Sequence, residues 1–519
     1  MTGVLGTGLG FLLLLAAGHG LLRLVSGRWP HRAFGPAGAA GLSWFAGVAA
    51  LGALTTLVGV LGGSTRPLPV LAPLLTLIAI AGLLPRPAPG APNPDPARGG
   101  PDRGPGSAGP NPGPARGDHG PGVRLGDAIA GAVGLAVTAW VALLSASIPV
   151  SGNDEYALWM LKARALSQLG HLDPRVFTDT AAGYQHQTYP LFLPSLFGWL
   201  DGWAGRPTDA AAHLAVAVTF GALLAVSGAV LTRVAGPGAA AASLLLIVSV
   251  PTLLSRQSLQ LVADLTVFAF AFCLALVLLL VIALPQEQGA GPWLAAAAVL
   301  GAGAIGTKAE GLAYTGTAFV LALLLATGRR RGLVVAGAAA LAVDLPWFGY
   351  TRHHHLHNWV ANQDTLSSAH LRDVLPWTDD IVSGMVRRWP GGGWLGLALV
   401  VAAGAAAVLA VRAGRWRLLV FLAAVVVLDT AGLVAQYVVT AYGPPSDPLA
   451  GPLLQSQLQV TVYRVALLPA TLLAVAAPVL AGLALRAPTP RARPEPVAYT
   501  PPREAPDRLT PTAQARHGM

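Results

Sequence analysis

Apolar stretches long enough to cross a lipid bilayer recur along the whole chain, and short polar segments separate them. A helix needs about 20 predominantly apolar residues to span the hydrocarbon core, where its backbone satisfies its own hydrogen bonds. We therefore predict an all-α polytopic membrane protein with about 13 transmembrane helices. The predicted spans are 4–26, 41–63, 67–84, 125–148, 208–232, 238–255, 262–284, 292–308, 311–327, 333–351, 393–411, 417–441 and 465–486.

Composition supports a membrane location. The sequence is 54% hydrophobic and 11% charged, whereas soluble proteins carry roughly 25% charged residues. The single cysteine, Cys273, excludes an intrachain disulfide. Arginines follow the first apolar stretch, which favours an anchoring span over a cleaved signal peptide. Abundant Ala, Gly, Pro and Arg with scarce Lys is typical of a GC-rich bacterial genome, so we expect a multi-pass protein of the bacterial cytoplasmic (inner) membrane.

The arginines predict the orientation. With these spans, and with 190–204 not crossing the membrane, most arginines outside the spans fall on one face, which should be cytoplasmic. The net charge of +10 is then explained by this bias, and no nucleic-acid partner is expected. Two large loops, 149–207 and 352–392, should be extracytoplasmic. Both are rich in polar and aromatic side chains.

The chain divides into four segments. Residues 86–124 and 487–519 are rich in Pro, Gly, Ala and Arg and should be disordered on the cytoplasmic side. The first of them separates a three-span leader, 1–85, from a body of ten spans, 125–486. We find no internal repeat, which disfavours an inverted-repeat transporter.

The first outer loop carries candidate catalytic chemistry. Asp154 and Glu155 directly follow the fourth span and could act as a general base. The simpler interpretation is that Asp154 caps a helix over 155–168. Lys162, one of only two lysines beside 31 arginines, and Arg164 lie on that helix within reach of an anionic substrate. His186 and Tyr189 could contact a substrate, or could belong to an interfacial aromatic belt.

Further candidates lie at later span ends. Asp264 opens a span, where a buried carboxylate is either functional or a satisfied cap. Lys308, the second lysine, could bind a phosphate or could pair with Glu310. Arg464 could also bind phosphate through its planar fork of donors, or could snorkel to the membrane boundary.

A histidine run, His353 to His355 with His357, invites a metal interpretation. Neighbouring histidines on a loop rarely complete a metal site, and no matching ligand spacing accompanies them. We assign no metal ligands and no cofactor, and the sequence leaves open whether a divalent metal takes part.

Between residues 125 and 470 the order of short motifs resembles that of the GT-C superfamily of membrane glycosyltransferases, particularly the bacterial relatives of protein mannosyltransferases and aminoarabinose transferases (glycosyltransferase family 39-like). The motifs are, in order, GNDEYALWMLKARAL, YPLFLP, VADLTVF, TKAEG, PWF and VYR. The resemblance implies a GT-C-like core with Asp154 as catalytic base, Glu155 as its neighbour and Asp264 as a second acidic position. It also implies that Lys162, Lys308 and Arg464 hold the phosphate of a polyprenyl-phosphate sugar.

The expected function is therefore transfer of a sugar from a polyprenyl-phosphate donor to an extracytoplasmic glycan, lipid or protein acceptor of the cell envelope. The alternative is a transporter or flippase of a lipid-linked or anionic solute, which should carry ionisable residues near the bilayer midplane. A non-catalytic scaffold would not need outer loops this rich in charge. One outer cavity that gathers Asp154, Asp264, Lys308 and Arg464 would favour the enzyme over the transporter.

Overall fold

The computed structural model describes residues 2–27, 30–83, 121–145, 148–150, 152, 154–178, 186–255, 257–284, 289–356, 367–389, 394–440 and 446–486. Every regular element in these ranges is helical. The α-helices are α1 (Thr2–Ser26), α2 (Pro30–Phe34), α3 (Pro36–Val60), α4 (Pro67–Leu83), α5 (Pro121–Ser145), α6 (Leu161–Leu169), α7 (Pro174–Thr178), α8 (Phe192–Ala204), α9 (Asp209–Ala235), α10 (Pro237–Ser249), α11 (Pro251–Ser255), α12 (Ala263–Ala283), α13 (Gly291–Thr307), α14 (Glu310–Leu325), α15 (Arg330–Ala342), α16 (Leu345–His353), α17 (Ser368–Val374), α18 (Thr378–Arg388), α19 (Trp394–Arg412), α20 (Trp416–Val439), α21 (Ala450–Val465) and α22 (Leu467–Leu485). A π-helix covers Asp154–Met160, and 3-10 turns cover Gln257–Leu259 and Leu375–Trp377.

Among the described residues, eight helices are long and apolar enough to cross a membrane. The protein is therefore all-helical where it is described, with the character of a multi-pass membrane protein. The other five predicted spans correspond to a helix pair bent by 63° and to four shorter apolar helices. The full set of about 13 spans stays a prediction. Helix α8, within the segment that we expected not to cross, is 13 residues long and is not among the candidate spans.

Basic residues gather where several helices end. Arg233, in the last turn of α9, pairs with Asp127 of α5 at 3.4 Å. Arg486, directly after α22, donates to the Thr232 carbonyl at 3.2 Å. These contacts bring one end of α5, α9 and α22 together.

The same end of the bundle gathers the basic residues of other helices. Arg329, just before α15, donates to the Val281 carbonyl near the end of α12. Arg417, at the start of α20, donates to Thr327 at 3.1 Å. We refer to this side, marked by Arg233, Arg329, Arg331, Arg417 and Arg486, as the arginine-rich end. Helices α12 and α22 run between it and the opposite end, where they begin with Asp264 and follow Arg464.

The leader helices pack into the body. The Trp44 indole of α3 donates to Thr219 of α9 at 3.0 Å. Helices α1 and α3 approach closely because glycines leave the space: a Cβ at Gly18 would lie 1.8 Å from the Ser43 carbonyl oxygen, and one at Gly47 would lie 2.1 Å from the Leu14 carbonyl oxygen. The leader and the body therefore form one compact unit.

A second, smaller hydrophobic cluster lies outside the main core. It joins α18, α21 and the end of α20 through buried side chains that include Ile381, Tyr437, Leu454 and Leu458. We name α17, α18 and α21 the outer cap. Because α21 ends directly after Arg464, the outer cap positions that side chain.

Two sequence expectations need adjustment. Helix α5 begins at Pro121, so the last four residues of the segment 86–124, which we predicted to be disordered, are helical. The rest of that segment, the tail 487–519 and His357 lie outside the described residues. The helix predicted over 155–168 is present, but it begins one residue earlier, as the seven-residue π-helix, before α6 continues to Leu169.

The fold predicts which residues share a side of the membrane. Cysteines introduced at Gln168, in the first outer loop, and at Thr327, at the arginine-rich end, should react with a membrane-impermeant thiol reagent from opposite sides. Both residues are exposed, and the native Cys273 is buried, so background labelling should be low. Labelling of intact cells should modify only the cysteine at position 168, and modification of both positions would contradict the predicted topology.

Candidate functional site

Five charged side chains from distant parts of the sequence form one cluster at the end of the bundle opposite the arginine-rich end. Arg464 donates through Nε and Nη2 to Asp264 Oδ2, at 3.0 and 2.6 Å. Its Nη1 lies 2.6 Å from Asp154 Oδ2. Lys308 Nζ lies 2.9 Å from Asp264 Oδ1 and 3.1 Å from Glu310 Oε1. The order Asp154, Arg464, Asp264, Lys308, Glu310 therefore alternates in charge.

The side chains of this series of ion pairs differ in their exposure to solvent. The Asp264 side chain is 3% exposed and Lys308 is 8% exposed, whereas Asp154 is 37% exposed. Asp264 is thus the buried centre that binds both cations, and Asp154 is the rim residue that solvent reaches. With three carboxylates and two cations, the cluster has a formal charge of −1 when all five groups are ionised.

Aromatic side chains surround Lys308. Its Nζ lies 6.0 Å from the centre of the Tyr189 ring, which stacks on His186 and Trp159. Burial raises the pKa of the Tyr189 phenol, so this side chain stays neutral near pH 7. Tyr189 therefore borders the cluster on one side as a neutral side chain.

A small cavity accompanies the cluster. Its volume is about 10 Å³, and the charged lining residues are Asp264, Lys308, Glu310 and Arg464. Tyr314 and apolar residues from α12, the end of α21 and the start of α22 complete the lining. This space holds about one water molecule, so a sugar phosphate could enter only after the surrounding elements move apart.

Glu155 contacts backbone amides through both of its carboxylate oxygens. Its Oε2 accepts from the Gly152 amide at 3.2 Å, and its Oε1 accepts from the Leu261 amide at 3.3 Å. The side chain is 5% exposed. It therefore ties the outer loop to the segment before α12, which holds the neighbouring Asp154 close to Asp264.

Lys162 also lies apart from the charged cluster. Its ammonium group is fully buried and donates to the His186 carbonyl at 3.0 Å. Burial lowers the pKa of Lys162 to about 7. Lys162 is therefore not one of the cations that Asp264 binds, and its side chain supports the loop that carries His186 and Tyr189. Its role in binding a donor phosphate stays a prediction.

Arg164 points to another helix. Its Nη2 pairs with Asp209 Oδ1, at the start of α9, at 3.2 Å. Its guanidinium carbon also lies 5.6 Å from the centre of the Tyr156 ring. These contacts anchor α6 to α9 and leave Arg164 outside the cluster.

The structure decides between several alternatives that the sequence left open. Asp264 makes ion pairs and is not the N-cap residue of α12, which is Val262. Arg464 is 12% exposed and bound to two carboxylates, so it does not snorkel. Lys308 pairs with Glu310, as the simpler interpretation predicted, and with Asp264 as well. In the described ranges, no group of three or more His, Cys, Asp or Glu side chains is placed to hold a metal.

Tyr314 is a lining residue that our sequence analysis did not single out. It lines the small cavity and donates its hydroxyl to the Val465 carbonyl at 3.1 Å. The signal was present in the sequence, because a residue four positions after Glu310 lies on the same face of a helix.

Comparison with known proteins finds no matching family model, no similar curated protein and no similar solved structure. The likeness to GT-C glycosyltransferases therefore rests on the sequence motifs alone.

The exposure difference predicts unequal contributions to stability. Asp264→Asn should lower the free energy of unfolding by about 3 kcal/mol, because it breaks buried ion pairs to two cations. Asp154→Asn should cost about 1 kcal/mol or less, since its pair with Arg464 is partly solvated. Denaturant titration of both variants in mixed micelles measures the difference, and equal losses would show that Asp264 is not the anchor of the cluster.

The buried Lys162 predicts a pH-dependent effect. Below about pH 7 both the folded and the unfolded states carry a protonated Lys162, so the folded state bears the full cost of burying a charge. Above pH 7 the folded state loses that proton first, and the cost declines as the pH approaches 10.5. The melting temperature of Lys162→Met relative to the native protein should therefore be higher at pH 6 than at pH 9.5. A pH-independent difference would contradict a charged, buried lysine.

Proposed function

We propose that this protein is a membrane glycosyltransferase that moves a sugar from a polyprenyl-phosphate donor to an acceptor hydroxyl on the extracytoplasmic side of the bacterial cytoplasmic membrane. The observation that carries the proposal is the joining of Asp154, Asp264, Lys308 and Arg464 in one cluster. A transferase with a phosphate leaving group needs one carboxylate base and a group of cations. This cluster supplies both at the ends of α12, α13 and α21.

The proposed reaction is a direct displacement at the anomeric carbon. The acceptor oxygen forms a bond to that carbon while the bond between the carbon and the phosphate oxygen breaks. Asp154 takes the proton of the acceptor hydroxyl, and the polyprenyl phosphate leaves with the bonding electron pair. Lys308 and Arg464 stabilise the negative charge on the leaving phosphate.

The resting geometry suggests how the donor is admitted. Arg464 uses Nε and Nη2 for the buried Asp264 and only Nη1 for the more exposed Asp154. A donor phosphate can replace Asp154 at Nη1 while Asp264 keeps the guanidinium in place. Asp154 then loses its cation, and its carboxylate can accept the proton of the acceptor hydroxyl.

Opening of the cluster would involve the outer cap. Arg464 lies in the last turn of α21, which packs in the cap through Leu454 and Leu458. A small displacement of α21 would lengthen the contact of Arg464 with Asp154 and enlarge the cavity, while the flexible arginine side chain keeps its contact with Asp264. Lys308 and Asp264 belong to the main bundle and would stay in position.

One observation favours the competing function, transport. Asp429 is 5% exposed near the middle of α20, within a candidate membrane span. Its Oδ2 has no hydrogen-bond partner among the described residues. Intramembrane carboxylates often mark ion or proton pathways. If transport is the function, Asp429→Asn should abolish it and Asp154→Asn should not.

The catalytic role of Asp154 can be tested with a closely matched control. In a strain lacking the protein, mass spectrometry of envelope glycans should reveal a missing sugar, and the native gene should restore it. Asp154→Asn should lower restoration by about 10²-fold or more, because an amide cannot accept the proton. The control is Asp209→Asn, since Asp209 is equally exposed, at 37%, and also pairs with an arginine.

The outcomes separate the proposals. Equal loss in both variants would indicate structural damage instead of lost base chemistry. Full restoration by Asp154→Asn, Glu155→Gln and Asp264→Asn, each expressed normally, would exclude the glycosyltransferase. Unchanged envelope glycans in the deletion strain, together with lost uptake or export of an anionic solute, would favour the transporter.

A further inference from the structure

A groove on the bundle surface lies away from the charged cluster. It has a volume of about 580 Å³ and is enclosed by α1, α3, α13 and α15. That volume falls in the range of about 300–1,000 Å³ that is typical of ligand sites. Its lining residues are Leu, Val, Ala and Gly, and among the described residues Arg331 is the only polar side chain in the lining.

The groove is about as long as one leaflet of a bilayer is thick. Along α13 its lining extends from Gly291 to Ala302, which at 1.5 Å per residue is about 16 Å. The hydrocarbon core is about 30 Å thick, so the groove covers about the depth of one leaflet. It begins at the arginine-rich end, where α13 starts, and stops before the end of α13 that carries Lys308.

Small side chains create the space. Ala49 and Ala53 of α3 and Ala295 and Ala298 of α13 line the groove. An alkyl chain is the occupant that such a narrow apolar slot matches, because it can fill the slot without burying a polar group. Longer side chains at these positions would fill the groove from within.

Arg331 places a positive charge at one end of the groove, which favours a lipid with an anionic headgroup. Arg331 is exposed at the start of α15 and lines the groove, and the neighbouring Arg330 is exposed without lining it. A guanidinium at this depth would meet the headgroup region of the leaflet at the arginine-rich end. Arginine binds phosphate oxygens through two parallel donors, and basic residues at membrane surfaces attract anionic lipids.

We propose that this groove binds one acyl chain of an anionic phospholipid from the leaflet at the arginine-rich end, with the headgroup phosphate on Arg331. Helices α1 and α3 of the leader form one wall, and α13 and α15 of the body form the other. The bound lipid would therefore join leader to body, which assigns the leader a structural role. This site is independent of the proposed transferase activity.

Lipid-dependent stability of the purified full-length protein tests the proposal. Phosphatidylglycerol added to detergent micelles should raise the melting temperature more than phosphatidylcholine with the same acyl chains, because a ligand of the folded state stabilises it. Native mass spectrometry gives the apparent affinity for each lipid. Arg331→Gln should weaken phosphatidylglycerol binding about fivefold, the effect of roughly one basic residue near a membrane surface, with phosphatidylcholine little changed.

Arg330→Gln is the matched control, since it removes the same charge one residue away and should leave the difference in affinity between the two lipids intact.

Ala298→Phe should fill the groove and reduce binding of both lipids. Val335→Phe, on the neighbouring helix α15 of the same wall, repeats that test if Ala298→Phe does not fold. Equal stabilisation by the two lipids, equal effects of Arg330→Gln and Arg331→Gln, or unchanged binding in the filled variants would overturn the proposal. Co-purification of an isoprenoid phosphate in the groove, in place of phospholipid, would overturn the assigned occupant.

Discussion

The candidate site depends on burial of the Asp264 carboxylate at the start of the most apolar span. A charge in such a position is tolerated only when oppositely charged groups lie against it. Lys308 and Arg464 meet that need, and in doing so they fix the end of α13 and the end of α21 against α12. Because the buried carboxylate must be neutralised, the fold favours the arrangement in which the ends of these three helices meet.

The assembled cluster is charged, but the cavity beside it holds only about one water molecule. Its cations are already neutralised by carboxylates, so an incoming anion must compete with one of them, and exposure decides which. Asp154 is solvated and held by one donor nitrogen, whereas Asp264 is buried and held by both cations. This asymmetry gives the two acidic residues different proposed roles, with Asp264 as the anchor and Asp154 as the exchangeable base.

Residues that our sequence analysis grouped together fall into two sets in the fold. Asp154, Asp264, Lys308, Glu310 and Arg464 meet, whereas Glu155 binds backbone amides and Lys162 supports the His186 loop. Asp154 and Glu155 are adjacent and were indistinguishable by type. Their side chains diverge because the π-helix turns one toward Arg464 and the other toward Leu261. Side-chain direction in an irregular helix is not readable from spacing.

The sequence by itself determined the helical class, the approximate positions of the apolar helices and the residues of the cluster. These are local properties: hydropathy over about 20 residues and the presence of ionisable groups at span ends. The tertiary structure alone decided which charges pair, because Asp154 and Arg464 are 310 positions apart. It also decided that Lys162 is buried and that a groove lies between helices of the leader and helices of the body. Both depend on how closely helices pack, and that is set by shape complementarity between distant segments.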